Sequence, residues 1–401
     1  MDFEFLKKLI IPANTRIVLL IMDGLGGLPR EPGGKTELEA AHTPNLDALA
    51  AQSSLGLTIP VAPGITPGSG PGHLAIFGYD PLLYEIGRGA LEALGVNFEL
   101  GSDDLAARGN FCTLDADGLI TDRRAGRIKT EITRELIKNL NTIKIEGVEV
   151  TTRTIKEHRF AFVMNGANLD DRLTEMDPQK TGVAPNPAKP LRKAAERTAA
   201  LVNEYAEKAR SLLADKLPAN AIMLRGFAKC PLLPTYSEIF GLNAAAIAVN
   251  GMYKGVAHLA GMQVLPVEGI TLDAEFSALE KYWNDFDFFY LHVKQTDSAG
   301  EDGGFDLKVQ IIEQVDALIP RLMALNPDVV IVGGDHSSPA ILKTHSWHPV
   351  PTLLYSKLVR PDGITEFGER ACLKGSLGIL PAKDIMPIAL ANAGRITKWS
   401  A

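Results

Sequence analysis

Short, continuous apolar runs recur near the start of the chain and through its second half. They cover residues 17–22, 221–226, 244–249, 286–293, 329–334 and 350–355. Runs of this length, rich in branched side chains and followed by glycine or aspartate, are typical of strands buried on both faces of a parallel sheet. Helical stretches separate most of the runs. The pattern therefore predicts an α/β fold in which a mostly parallel sheet is sandwiched by helices.

The middle of the chain has a different pattern. An Asp-Gly pair at residues 117–118 lies between two short strand-like runs, which is a hairpin signal. Residues 146–166 alternate apolar and polar positions, as a half-exposed strand does. This antiparallel texture predicts a smaller inserted α+β domain at residues 105–186. The core domain is then formed by residues 1–104 and 187–401.

Composition narrows the class of protein. The 401 residues are 46% hydrophobic and 22% charged, as in an ordinary globular protein. A net charge of −7 argues against a general nucleic-acid binder. The cysteines are far apart and odd in number, so we expect reduced thiols and no disulfide framework at Cys112, Cys230 and Cys372.

Nothing in the sequence predicts a membrane protein. No apolar run approaches the roughly 20 residues that a membrane helix needs. Residues 1–16 lack the apolar segment and cleavage site of a secretory signal. We therefore expect a soluble cytoplasmic protein with no membrane or nucleic-acid partner. Whether the chain forms a homo-oligomer is left open.

Three aspartates follow apolar runs directly or within a few residues: Asp23, Asp297 and Asp335. One such aspartate could be a simple turn residue. Three of them should meet, because the carboxyl ends of parallel strands lie along one edge of a sheet. Carboxylates packed together repel each other unless cations neutralise them. The three aspartates therefore predict a metal site.

Two further ligands have the right spacing to join this site. Glu301 follows Asp297 by four residues, so the two carboxylates would share one face of a helix. His336 is adjacent to Asp335, and adjacent side chains point apart. The pair at 335–336 could thus serve two different ions.

A histidine near the last apolar run would complete the ligand set. We expect it to be His348, because Pro349 and the following strand should fix its position better than that of His345. The mixture of carboxylates and imidazoles favours two Mn²⁺ ions, with Mg²⁺ or Zn²⁺ as alternatives. The lack of cysteine ligands disfavours a structural zinc site.

Ser69 is the candidate nucleophile. It lies among glycines and prolines, directly before an apolar run at residues 74–77 that can open a helix. Its hydroxyl and the surrounding N–H groups suit an approach to phosphate. A serine is weak at neutral pH, but two ions about 3.5–4 Å apart could activate it and neutralise phosphoryl charge.

Several of these stretches together carry a family resemblance. IMDGLGG, GSGPGHLAIFGYDP, TDSAGEDG, GGDHSSP and HSWHPVP resemble the metal-binding motifs of the alkaline phosphatase superfamily. Within it they are most similar to the archaeal-type cofactor-independent phosphoglycerate mutases. The resemblance implies an alkaline-phosphatase-like core, no use of 2,3-bisphosphoglycerate and a serine that becomes phosphorylated. The metal ligands that it implies are Asp23, Ser69, Asp297, Asp335, His336 and His348.

The chain departs from the family pattern at one ligand. The family usually has histidine four residues after the aspartate that matches Asp297, and here that residue is Glu301. Glutamate is a harder ligand than histidine. The metal preference could therefore shift from Zn²⁺ toward Mn²⁺ or Mg²⁺.

The implied reaction interconverts 3-phosphoglycerate and 2-phosphoglycerate through a phosphoserine at Ser69. The inserted domain would act as a lid that retains glycerate and excludes water. Lys254 is expected to contact phosphate, and Asp177 to move a proton between the glycerate hydroxyls. Basic side chains for the substrate carboxylate are expected among Arg123, Arg124, Arg127, Arg159 and Arg172.

Other interpretations stay open. The arginines of the DRRAGR stretch could be a solvated hairpin arm. The same core could also serve a metal-dependent phosphomonoesterase, or a mutase for another phosphorylated metabolite. Release of free phosphate distinguishes the phosphatase, since a mutase should release almost none. A binding protein with a decayed site is disfavoured, because six ligands are intact.

Overall fold

The computed structural model describes residues 2–400 of the chain, and these residues form two compact units. The first, called the core unit, runs up to Glu85 and resumes at Leu233. The second, called the inserted unit, is Ile86–Leu232. Within the described residues, no helix has the length and apolar character needed to cross a bilayer.

The strands and helices are numbered in chain order. The strands are β1 Ile17–Met22, β2 Ser53–Ile59, β3 Leu105–Leu114, β4 Ile120–Asp122, β5 Glu149–Lys156, β6 Arg159–Asn165, β7 Ala221–Lys229, β8 Ala244–Ile247, β9 Gln263–Val264, β10 Phe288–Val293, β11 Val329–Gly333, β12 Val350–Ser356 and β13 Gly378–Pro381. The α-helices are α1 Phe3–Lys7, α2 Glu37–Ala40, α3 Pro44–Ala50, α4 Ser69–Ile76, α5 Arg88–Gly95, α6 Thr130–Leu140, α7 Glu196–Leu213, α8 Tyr236–Phe240, α9 Gly251–Leu259, α10 Leu272–Tyr282, α11 Gln295–Glu301, α12 Phe305–Ala324, α13 Glu369–Cys372 and α14 Ile385–Asn392.

The core unit is built on an eight-stranded sheet in the order β13-β2-β12-β11-β1-β10-β8-β9. Strands β11, β1, β10, β8 and β9 are parallel, whereas β12 is antiparallel to both of its neighbours. The predicted mostly parallel α/β sheet is confirmed. Strand β1 lies between β10 and β11, with Ile21 opposite both His292 and Gly333. The carboxyl ends of these three strands are therefore side by side.

Apolar packing covers both faces of this sheet. On one face, Leu20 of β1 belongs to a buried cluster with Phe276 of α10 and Ile312 of α12. On the other, the ring of Tyr290 on β10 meets that of Phe77 at 4.8 Å. Full burial of each such side chain contributes about 1.5–3 kcal/mol to stability. A strand buried on both sides cannot slip without exposing these groups, so the residues after it are held at fixed positions.

The inserted unit has its own antiparallel sheet in the order β4-β3-β6-β5, with β7 also paired to β3. Helices α6 and α7 enclose its core, where the Phe162 ring lies 5.1 Å from that of Tyr205. The unit begins before residue 105 and ends after residue 186, so it also contains α5, α7 and β7. The apolar run at 221–226 thus belongs to this sheet and not to the core sheet. A continuous apolar run does not reveal which sheet it will join.

Candidate active site

Four of the predicted metal ligands meet at the carboxyl edge of the core sheet. Asp23 follows β1, Asp335 and His336 follow β11, and Asp297 lies on α11 directly after β10. All four are buried. Their ligand atoms form two overlapping groups, each within 4.8 Å, and His336 belongs to both. One group also contains Asp23 and Asp335, and the other contains Asp297 and His345.

The electrostatics of this edge favour a bound cation. Asp23 Oδ1 and Asp335 Oδ2 are buried and face imidazoles: Asp23 Oδ1 lies 3.3 Å from His336 Nε2, and Asp335 Oδ2 lies 3.0 Å from His73 Nδ1 and 3.2 Å from His336 Nε2. Burial alone would raise the pKa of Asp23, but contacts with His292 and His336 and the charge of Lys294 hold it well below its ordinary value. Burial lowers the pKa of His336, yet the neighbouring carboxylates raise it to about 9. A divalent ion could replace the proton that these carboxylates keep on the imidazole.

Ser69 lies at the first position of α4, with its Oγ 3.4 Å from His336 Nε2. Helix α4 approaches the loop after β11 very closely, because a Cβ at Gly72 would lie only 2.4 Å from Asp335 O. Glycine at this position therefore allows the serine hydroxyl to reach the ligand groups. Carboxylates, imidazoles and a hydroxyl are donors that suit a hard or borderline divalent cation, so the residues fit the metals expected from the sequence.

The second group contains His345 and not the predicted His348. His345 Nε2 lies 3.5 Å from both Asp297 Oδ1 and Glu301 Oε1. Its Nδ1 lies 2.9 Å from Pro67 O, a contact typical of a histidine whose other nitrogen faces a metal. His348 belongs to neither group, and its Nδ1 contacts the Ser346 hydroxyl at 3.0 Å.

The loop that carries these histidines explains the exchange. Ser337 forms an isolated β-bridge with Ser346, and this pairing holds the segment before His348 against the loop after β11. The ring of His345 then stacks on that of His336 at 3.7 Å. The contact between Pro349 and the following strand, on which we based His348, does not determine which side chain faces the carboxylates.

Three polar residues at this edge have no counterpart in the sequence prediction. His292 Nε2 lies 3.1 Å from Asp23 Oδ2. Lys294 Nζ donates to Asp23 Oδ2 at 3.3 Å and to Asp297 Oδ2 at 2.5 Å. His73 Nδ1 lies 3.0 Å from Asp335 Oδ2. For His292, the available signal was a histidine inside the apolar run of β10, since a buried strand does not need a histidine for packing.

The predicted phosphate ligand Lys254 lies in the first part of α9, after the Asn250 cap. Its neighbour Tyr253 stacks on His292, with ring centroids 3.8 Å apart. Within residues 2–400, the Lys254 side chain has no hydrogen bond or ion pair. Lys254 thus follows a residue that contacts His292, and its ammonium is available to bind a ligand.

The inserted unit gathers positive charge on one face of its sheet. Arg108 of β3 lies directly opposite Arg225 of β7, and Asn110 lies opposite Arg159 of β6. The Nε atoms of these three arginines are buried without a hydrogen-bond partner. Burial and the charges of Arg159, Arg225 and Arg88 lower the pKa of Arg108. We call Arg88, Arg108, Arg159 and Arg225 the arginine cluster.

Such an arrangement has a physical cost, because like charges directly opposite each other destabilise a sheet. Three carboxylates offset part of this cost: Glu92 lies 3.4 Å from Arg108, and Glu175 and Asp177 lie 3.8 and 3.5 Å from Arg225. The arginine cluster therefore suits an anionic group. The sequence indicates Arg159, and it allows Arg88 equally as a substrate contact or as a helix-start charge, but the sequence analysis missed Arg108 and Arg225. For the last two, the signal was an arginine inside an otherwise apolar strand.

Asp177 and Arg123, both predicted, form a bidentate ion pair at 2.9 and 2.7 Å. Arg225 lies 3.5 Å from the same carboxylate. Burial raises the pKa of Asp177, but Arg123 and Arg225 hold it below its ordinary value. Asp177 is therefore an ionised carboxylate beside the arginine cluster.

The other three predicted arginines are exposed: Arg124, Arg127 and Arg172. In the part of the chain that the structure describes, none of their side chains has a hydrogen bond or ion pair. Two of them form hydrogen bonds through the backbone: the N–H of Arg124 donates to Asp122 Oδ1, and the N–H of Arg172 donates to Asp170 Oδ1.

Comparisons with known proteins agree with this chemistry. A family model of "2,3-bisphosphoglycerate-independent phosphoglycerate mutase" matches residues 50–220. A Thermus thermophilus protein named "Probable 2,3-bisphosphoglycerate-independent phosphoglycerate mutase" is 51% identical over 403 residues, which cover 100% of this chain and 99% of that protein. A Thermotoga maritima protein of the same name is 50% identical over 400 residues, covering 99% of each.

Solved structures give the same picture. A protein from Pyrococcus horikoshii superposes with a TM-score of 0.81 at 31% identity, covering 96% of this chain and 99% of that one. The cofactor-independent phosphoglycerate mutase of Thermoplasma acidophilum has a TM-score of 0.79 at 30% identity, covering 95% and 100%. With this similarity over its whole length, the chain belongs to the family of 2,3-bisphosphoglycerate-independent phosphoglycerate mutases, as its motifs predict.

Proposed function

We propose that this protein interconverts 3-phosphoglycerate and 2-phosphoglycerate without 2,3-bisphosphoglycerate. The observation that carries the proposal is the pair of ligand groups that share His336, with the Ser69 hydroxyl 3.4 Å from that histidine. A serine at a helix start beside two sets of hard ligands suits transfer of a phosphoryl group.

The residues would hold two divalent ions. Asp23, Asp335 and His336, with Ser69, would take one, and Asp297, Glu301 and His345 the other. When bound, the ions would withdraw charge from the phosphate and lower the pKa of the serine hydroxyl. Mn²⁺ is our choice for both sites, because Glu301 adds a hard oxygen ligand where imidazole would favour Zn²⁺.

Ser69 performs the covalent step. Its deprotonated Oγ forms a bond to phosphorus while the bond from phosphorus to the O3 oxygen of glycerate breaks, and O3 takes up a proton that Asp177 has accepted from the O2 hydroxyl. In the return step, the O2 oxygen of the same glycerate attacks the phosphoserine, the bond from phosphorus to Oγ breaks, and Ser69 leaves as the alkoxide with which the reaction began. The N–H groups at the start of α4 lie next to the position where negative charge develops. Lys254 would contact the phosphate.

The inserted unit would retain the glycerate. The arginine cluster contains three Nε atoms that are buried without a hydrogen-bond partner among the described residues, and such donors suit a carboxylate. Arg123 and Arg225 keep Asp177 ionised, as a proton acceptor must be, although its lowered pKa makes it a weaker base than a free carboxylate. We assign to it the transfer of a proton from one glycerate hydroxyl to the other. Arg124, Arg127 and Arg172 would contribute less, since their side chains are exposed to solvent.

The test is an assay coupled to enolase, with 3-phosphoglycerate as substrate and no 2,3-bisphosphoglycerate. Metal-stripped protein is compared with and without added Mn²⁺, and free phosphate is measured in the same reactions. We expect Mn²⁺-dependent formation of 2-phosphoglycerate with almost no free phosphate. Free phosphate as the main product would indicate a phosphomonoesterase on the same core.

The family's substrate is a small phosphorylated acid, and no partner beyond it is needed for this reaction. We place the enzyme in the cytoplasm, where such substrates are interconverted.

A further inference from the structure

Lys308 is a fully buried lysine in the first turn of α12. Its Nζ donates to three backbone carbonyls, those of Gly24 at 2.8 Å, Gly26 at 3.1 Å and Ser338 at 2.9 Å. An ammonium has three donors, so its hydrogen-bonding capacity is used completely. None of these acceptors is a carboxylate. The buried ammonium of Lys308 therefore binds backbone carbonyl groups and no acidic side chain.

The three carbonyls belong to the two loops that carry metal ligands. Gly24 and Gly26 follow Asp23, and Ser338 comes two residues after His336. The backbone N–H of Ser338 also contacts the carbonyls of Gly24 and Gly26, at 3.2 and 3.0 Å. Lys308 therefore connects the loop after β1 to the loop after β11 by hydrogen bonds to both.

Ser338 also connects these two loops to α11, the helix that follows β10. Its hydroxyl donates to Asp297 Oδ1 at 2.5 Å and lies 3.2 Å from His336 Nδ1. A shift of the Ser338 backbone would therefore move the partner of a ligand in each group. Glycine at position 24 is also required here, because its φ is +64° and a Cβ would lie 2.8 Å from Asp297 Oδ1.

Glu37, which is buried, and Glu369, which is partly buried, also hold these loops through backbone N–H groups. Glu37 of α2 accepts the N–H of Leu28 at 3.1 Å and that of Ala340 at 2.7 Å. Glu369 of α13 accepts the N–H of Gly27 at 2.9 Å. Glu37, together with Glu369 in its ionised form, offsets the buried charge of Lys308, whose burial would otherwise be costly; burial raises the pKa of Glu369 to about 7.

We propose that Lys308 is a positioning residue for the metal centre: it fixes the loop after β1 against the loop after β11 and so sets the spacing of the ligand atoms. The inference rests on the proposed metal site. A purely structural lysine would stabilise the fold without changing metal affinity. A positioning lysine changes metal affinity, because misplaced ligands bind an ion less tightly.

The test compares Lys308→Met with a matched control, Arg395→Met. Arg395 is also a buried cation of the core unit, and it donates to Thr15 O at 2.8 Å and to Asp287 Oδ2 at 3.0 Å, with no contact to the ligand loops. Mn²⁺ binding to metal-stripped protein is measured by calorimetry, and thermal unfolding is measured without metal. We expect both variants to unfold at lower temperature. Only Lys308→Met should weaken Mn²⁺ binding, by about 10- to 100-fold.

A second variant, Glu37→Gln, keeps the shape of the side chain but removes one of the two acceptors that hold the loops. It should weaken Mn²⁺ binding less than Lys308→Met does, and it decides the question if Lys308→Met does not fold. Mn²⁺ affinity within twofold of the wild type in these variants would make Lys308 a structural contact only. If the wild-type protein itself bound no Mn²⁺, the proposed metal site would fail, which is a different result.

Discussion

The core unit gathers mainly carboxylates and the inserted unit mainly guanidinium groups, and the two clusters are built from different parts of their sheets. In the core unit, aspartates follow the ends of parallel strands, so the ligands lie on loops and on the first turn of α11. In the inserted unit, Arg108, Arg159 and Arg225 project from within antiparallel strands. Loops can be held by other groups, as Lys308 holds them, whereas strand residues are placed by pairing alone.

In the proposed reaction, the two charge patterns would have different tasks. The acidic edge is incomplete without cations, which are needed where a phosphoryl group is transferred. The arginine cluster supplies its own cations and is incomplete without an anion. The core unit should therefore respond to metal, and the inserted unit to substrate. The predictions below test this division, beginning with the largest expected effect.

Ser69→Ala should lower mutase activity by about 10⁴-fold or more, because no other group can take the phosphoryl. The ligand set loses only one hydroxyl, so Mn²⁺ binding by calorimetry should persist and thermal unfolding should change little. Activity above a trace, measured in the enolase-coupled assay, would contradict the phosphoserine route and leave the acidic edge with another role.

Removal of metal should abolish the activity of the core unit without unfolding the inserted unit. Exhaustive chelation should abolish activity, and Mn²⁺ should restore it at a lower concentration than Mg²⁺, since two imidazoles favour the softer ion. Circular dichroism monitors the fold, and elemental analysis confirms removal. Full activity in a protein shown to be free of metal would end the division of labour between the units.

Arg159→Met tests the arginine cluster, and Arg127→Met is its matched control. Arg159 has a buried Nε without a partner, whereas Arg127 is exposed. Loss of one charge-assisted hydrogen bond, worth about 1.5–3 kcal/mol, should lower kcat/KM by about 10- to 100-fold for Arg159→Met. The fraction of free phosphate should rise, because loosely held glycerate escapes. An equal effect in Arg127→Met would return the carboxylate site to the DRRAGR arm.

The comparison also explains which residues could be predicted. Asp23, Asp297 and Asp335 were placed together from sequence because strand ends in a parallel sheet share one edge. The Arg108–Arg225 pair could not be placed, since β3 and β7 are separated by more than a hundred residues and pairing has no local signal. For the same reason the run at 221–226 was assigned to the wrong sheet.

The choice between His345 and His348 failed for a related reason. It depends on the bridge between Ser337 and Ser346 and on the Pro67 carbonyl, which comes from a distant segment. The mutase family itself is confirmed, because the motifs are specific as an ordered set even where single ligands are misplaced.

Glu301→His would sharpen the account of the acidic edge. Glu301 lies 3.5 Å from His345 and is half-exposed, so a histidine can replace it without repacking the core. The added imidazole should shift the preference from Mn²⁺ toward Zn²⁺, with a change of about tenfold in the ratio of the two binding constants. Competition calorimetry measures this ratio, and Glu301→Gln is the control that removes charge only. An unchanged ratio would place Glu301 outside the metal's ligand set.

The smallest effect concerns a buried acid that lies outside both sites. Glu275 of α10 is fully buried and neither of its carboxylate oxygens has a partner among residues 2–400. Burial raises its pKa from 4.5 to about 8. The folded state therefore binds a proton that the unfolded state has lost between these values, and stability should fall as the pH rises from about 4.5 to about 8.

Glu275→Gln should remove this dependence. The variant should match the wild type near pH 5, where the acid is neutral in the folded protein, and exceed it by about 1–3 kcal/mol at pH 9, as judged by denaturant unfolding. Mn²⁺ affinity and mutase activity should stay unchanged, because buried charge without converging ligands carries no function here. A loss of Mn²⁺ affinity in Glu275→Gln would instead extend the acidic edge through the sheet to α10, and the contrast between the units would then rest on the arginine cluster alone.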